Sequence, residues 1–143
     1  MNTKLDVKQL AIATLAVFVI MTIFAYVPTK LEIAPWFLAS GGTARADEMT
    51  QRILIYLSRL IAAGLFTFIF TKTSEGKPGI GHGLRFGFGL SLFLYVPWMF
   101  SGIAITDWPA SALLLRTVVG IIELVICGAA VAQLYKPGKP AAA

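Results

Sequence analysis

Four stretches of about 20 predominantly apolar residues follow one another along the chain. They are 10–27, 53–71, 84–105 and 112–134. A helix needs about this length to cross the hydrocarbon core of a bilayer. In lipid no water meets the backbone, so each span must close its hydrogen bonds within itself, and a helix does so. The pattern predicts an all-α integral membrane four-helix bundle, with residues 1–143 as a single transmembrane domain. Composition agrees. The chain is 57% hydrophobic and 13% charged, whereas soluble domains carry about 25% charged residues. The first run follows Lys4 and Lys8 like a signal peptide. It is too long for a typical apolar core of one, and no small-x-small site follows it directly, so it reads as a retained helix.

Charge placement sets the expected orientation. Lys4 and Lys8 precede the first run, Lys72, Lys77 and Arg85 surround the second connection, and Lys136 and Lys139 follow the last run. The third connection, TDWPAS, has only Asp107. Basic loops stay on the cytoplasmic side, which predicts both termini there (N-in, C-in). The same placement explains the net charge of +5 without invoking nucleic acid. Trp36 and Trp108 suit an interfacial aromatic belt, and Trp98 lies deeper, at a packing depth. In the first connection, LEIAPWFL reads as a short segment on the outer membrane surface, and Gly41-Gly42 as a joint after it. The second helix is expected to begin near Thr43, with Asp47 and Glu48 in its first turn, where they favour the helix dipole. Arg45, Arg52 and Arg59 recur every seven residues and so share a face. The first two suit a solvated edge, but Arg59 falls inside the apolar run.

The third helix opens with Gly83, Gly87 and Ser91 at intervals of four, and Gly128 with Ala132 repeats the spacing on the fourth. Small residues let membrane helices approach backbone to backbone, and this reading outweighs a ligand groove. On it, Gly87→Leu is disruptive and Gly87→Ala much milder. GHGLRFG follows no strand and is no phosphate loop. Pro97 removes a helical N–H and predicts a kink, for packing or as a hinge.

Chemistry-bearing residues are few. His82 is the single histidine and Cys127 the single cysteine. This leaves no disulfide, no conventional metal site and no paired haem ligands. No Ser/His/Asp, Cys/His or paired-carboxylate arrangement is visible. The chain reads as a non-enzyme with no catalytic residues and no cofactor.

The exception is LLLRTVVGIIELVIC, residues 113–127, which places Arg116 and Glu123 inside an apolar run with Gly120 between them. An arginine or aspartate at the bilayer centre costs about 2.5–3.5 kcal/mol on insertion scales. Turning Arg59, Arg116 and Glu123 inward together relieves that cost. Depth makes Arg59 the expected main partner of Glu123. Arg116 is expected as a more distant neighbour, because seven residues are about 10.5 Å of rise. Such a cluster serves as a structural pair that fixes helix rotation, as part of a transport or proton path, or as a contact for another subunit. Tyr56, Ser58, Tyr95 and Thr117 are candidate polar extensions of a path.

The segment EGKPGIGHGLRFGFGLSLFLYVP, followed by a helix with an internal glutamate and a short basic end, resembles small uncharacterised four-helix inner-membrane proteins of bacteria. The resemblance covers 75–137 and rests on glycine spacing, one proline and one glutamate. It implies the bacterial inner (cytoplasmic) membrane and four spans, and transfers no activity. Two functions are then expected. One is an accessory or assembly subunit packed into a larger membrane complex. The other is a small transporter or channel, a homo-oligomer using the Arg/Glu cluster. The partners expected are membrane lipid and either a protein partner or further copies of the chain.

Overall fold

The computed structural model describes residues 7–30, 48–74 and 79–135. It contains four long helices among these residues: α1 (Val7–Lys30), α2 (Glu48–Thr73), α3 (Ile80–Ile105) and α4 (Ala110–Leu134). All four are long and apolar enough to cross a membrane, so the chain is a multi-pass membrane protein built from helices. Each helix extends beyond the apolar run that predicts it. Hydropathy marks the part that suits lipid, whereas helical hydrogen bonding continues into the flanks. At the start of α3, the N–H groups of His82 and Gly83 both donate to the Gly79 carbonyl. α2 begins at Glu48; Thr43 to Asp47, the LEIAPWFL segment, Trp36 and Arg45 lie outside the described residues.

Successive helices run antiparallel. Phe18 and Tyr26 of α1 meet Tyr56 of α2. Phe66 and Phe70 of α2 meet Phe86 of α3 edge-on, and Phe70 also meets His82. α1 therefore ends where α2 begins, and the same end carries the α3–α4 turn. We call it the distal end. α4 is the central element: it packs along α3 and α1 and touches α2 at only a few points. Its buried Leu113, Thr117, Gly120, Leu124, Cys127 and Val131 alternate in steps of four and three, the seam spacing of packed helices. The main core joins Ala13, Val17 and Met21 of α1, Ala63, Phe66 and Phe70 of α2, and Leu124, Cys127 and Val131 of α4.

α3 shows most directly why these residues make a membrane bundle. Its buried residues are Gly83, Gly87 and Ser91, while Phe88, Phe93 and Phe100 face outward. A soluble helix does the opposite. In lipid the large apolar side chains cost nothing outside, and the small ones admit close packing. The contact is between backbones. A Cβ on Gly83 would overlap the Gly128 carbonyl, and one on Gly128 would overlap the Gly83 carbonyl. A Cβ on Gly87 would overlap the Leu124 carbonyl and stand 2.9 Å from Val125 Cα. The expected mildness of Gly87→Ala is therefore corrected, because the first added carbon already meets main chain. Further along, Tyr95 covers Gly120, and Gly102 faces Leu113. The seam runs the length of both helices.

α3 continues through Pro97 to Ile105. Across the distal turn Trp98 and Trp108 pack edge-on at 6.4 Å between ring centroids. The Thr106 hydroxyl and N–H both donate to the Gly102 carbonyl, at 2.7 and 3.0 Å, where the helix ends.

A candidate intramembrane charge site

The site forms where the α3–α4 seam passes from glycine to tyrosine. Tyr95 is the next step of four after Gly83, Gly87 and Ser91. Opposite it is Gly120, and the phenol ring lies on the bare backbone there, so closely that a Cβ on Gly120 would overlap the ring. Gly120 lies four residues after Arg116 and three before Glu123. Because it has no side chain, it leaves room for the two long side chains to approach each other.

They do approach. Arg116 Nη1 lies 3.8 Å from Glu123 Oε2. Helical side chains lean toward their helix N-terminus, which carries Glu123 toward Arg116. Arg116 bends the other way to meet it, giving up the outward lean that would take it toward the distal end. The Arg116 guanidinium also sits 5.4 Å from the Tyr95 ring centroid, in cation–π range. Arg116 Nη1 is buried and has no hydrogen-bond partner among the described residues. Glu123 is nearly enclosed, with 9% of its side chain exposed, against 29% for Arg116.

The geometry corrects the expected pairing. Arg116, not Arg59, stands at ion-pair distance from Glu123. Among the described residues Arg59 makes no ion pair with the carboxylate. Its guanidinium lies 5.9 Å from the centroid of Tyr56, one turn nearer the α2 N-terminus, the direction in which a helical side chain leans. The axial-rise argument against Arg116 fails because two long, flexible side chains share about 10.5 Å between them. Of the three charges expected to gather, the structure joins two and sets the third on the α1–α2 surface.

Two of the four hydroxyls expected to extend a polar path turn back on their own helices. Thr117 donates to the Leu113 carbonyl at 2.9 Å, and Ser58 to the Ile55 carbonyl at 2.8 Å. Ser91 donates to the Phe88 carbonyl at 2.7 Å. Such back-bonding satisfies the hydroxyl within its own helix. Of the four candidates, Tyr95 alone joins the charged pair. The sequence carried a signal for its place, since it continues the glycine spacing. Among the described residues no group of three His, Cys, Asp or Glu side chains stands close enough to hold a metal ion.

Compared with protein-family models, with curated proteins and with solved structures, the chain matches none.

Proposed function

We propose that the chain is an accessory or assembly subunit of a larger complex in the bacterial inner membrane, with both termini in the cytoplasm. The observation that carries this reading is the closed state of the charged site. Tyr95 is seated on Gly120, Arg116 is turned inward against its natural lean, and Glu123 is enclosed. A solute or proton path needs polar groups open to one side of the membrane, whereas this site locks α3 onto α4 in one rotation. The outward aromatic and aliphatic residues of α3 then serve as surface for lipid or neighbouring subunits. The orientation rests on the lysine and arginine asymmetry, and the membrane on the resemblance of 75–137.

A second reading, a small oligomeric transporter or channel, is favoured by one observation: Arg116 keeps 29% of its side chain exposed. One purification separates the two. Full-length protein taken from its native membrane in mild detergent is expected to carry a fixed set of larger partners. A homo-oligomer with solute flux in liposomes would overturn the subunit reading. A reporter fused after Ala143 is expected to work only as a cytoplasmic reporter, and periplasmic reporter activity there would refute the orientation.

A further inference from the structure

Arg59 lies seven residues, about 10 Å of helix rise, beyond Arg52, within the apolar part of α2. Among the described residues no carboxylate stands at ion-pair distance from it. Arg116 already occupies Glu123, the one acidic residue within the four apolar spans. A guanidinium at membrane depth needs an anion or water.

What surrounds Arg59 indicates which anion. Its guanidinium reaches Tyr56, and the Tyr56 hydroxyl lies 3.4 Å from the Tyr26 hydroxyl on α1. Two hydroxyls that share one hydrogen bond leave one O–H free to donate. Tyr26 and Tyr56 are 56% and 40% exposed, so the group opens on the α1–α2 surface rather than into the bundle. Tyr26 closes the apolar span of α1, at the depth where headgroups meet hydrocarbon. The group thus combines a forked cation with a spare hydroxyl donor. A phosphodiester presents two unesterified oxygens, which match a guanidinium fork with an adjacent hydroxyl.

We propose that Arg59, Tyr56 and Tyr26 bind the phosphate of a phospholipid headgroup in the leaflet at the distal end. The proposal rests on the membrane reading but not on the subunit role. Snorkelling allows it: the arginine stem lies along the apolar part of α2 while its head reaches headgroup level.

The test uses full-length protein, delipidated in non-ionic detergent and titrated with phosphatidylglycerol, with bound lipid counted by native mass spectrometry. Wild type is expected to hold at least one lipid that Arg59→Gln binds about tenfold more weakly, the scale of one charge-assisted hydrogen bond. Tyr56→Phe keeps the ring and removes the hydroxyl, and is expected to weaken the same lipid. Arg59→Lys keeps the charge but loses the fork, and is expected to bind between wild type and Arg59→Gln. Unchanged melting temperatures separate a binding defect from misfolding. Equal lipid binding by wild type and Arg59→Gln overturns the proposal. So does equal retention of a phosphate-free galactolipid. If millimolar inorganic phosphate competes the lipid away, the site takes free phosphate and the lipid assignment fails. If Arg59→Gln instead loses a co-purifying protein while lipid stays bound, a partner's carboxylate is the ligand and the proposal fails. Retention of the chain in carbonate-washed membranes tests the membrane reading separately, so either can fail alone.

Discussion

Replacing Gly87 by alanine adds one carbon, and its cost follows from where that carbon goes. It would overlap the Leu124 carbonyl and stand 2.9 Å from Val125 Cα, where an ordinary carbon contact is about 3.5–4.0 Å. The obstacle is main chain on both counts, so no rotamer change relieves it, and α3 must move off α4 by about 0.5–1 Å. A gap of that size forfeits about a quarter to a half of each dispersion contact along the displaced seam. Overpacking of this kind costs about 1–3 kcal/mol, and a backbone obstacle belongs at the upper end. Gly89 provides the control two residues away. A Cβ there meets nothing within 4 Å, so Gly89→Ala keeps only the helix-propensity gain of about 1 kcal/mol. Gly87→Ala receives the same gain, which leaves it about 2 kcal/mol less stable than wild type. The two variants are therefore expected to differ by about 3 kcal/mol, more than a hundredfold in the unfolding constant. Unfolding by titration with sodium dodecyl sulfate in mixed micelles, followed by circular dichroism and tryptophan fluorescence, measures the difference. Equal midpoints for the two variants would refute the close-packed seam.

Three further outcomes are expected. Arg116→Gln and Glu123→Gln should show a coupling of about 1–3 kcal/mol in a double-mutant cycle, whereas Arg59→Gln with Glu123→Gln should be additive to within about 0.5 kcal/mol; strong coupling to Arg59 would reverse the pairing described here. Gly120→Ala should destabilise by displacing the Tyr95 ring, and Tyr95→Ala should suppress that effect because this obstacle is a side chain; failure of suppression in the same micellar titration would place the clash elsewhere. Cys127 is fully buried, so a maleimide should label it only as the protein unfolds, and rapid labelling of folded protein would contradict its place in the core.

The four helices were legible because length and hydropathy act locally. Each run of about 20 apolar residues suits lipid whatever its neighbours do. The glycine face was legible for the same reason, since 83, 87 and 91 lie on one side of any helix. Pairing was not. Whether Arg59 or Arg116 meets Glu123 depends on how α2 is rotated against α4, and nothing within either helix determines that angle. Depth alone favoured Arg59, but the side-chain lean along α2 carries it away from the site. Tyr95 was within reach of sequence reasoning. Extending the four-residue step from Ser91 places it on the packed face, and a glycine between two charges calls for something to cover it. The cost of Gly87→Ala was out of reach, because it depends on how closely two backbones approach.

The arrangement of α4 bears on how the chain assembles. α1 with α2, and α3 with α4, form antiparallel hairpins whose contacts are close in sequence. The joint between hairpins is mainly α4 against α1, the first span made against the last. During synthesis the first hairpin enters the membrane without the element that completes its core, and the second arrives with its own seam ready to close. The two halves have the character of separable modules, so a gene split between α2 and α3 should still yield a bundle when both pieces are expressed together. The start of α1 and the end of α4 emerge on the same face of the bundle, and a short linker between them should permit a permuted chain that begins at α3. In that chain the joint between α1 and α4 would become the local contact, and α2 with α3 the distant one.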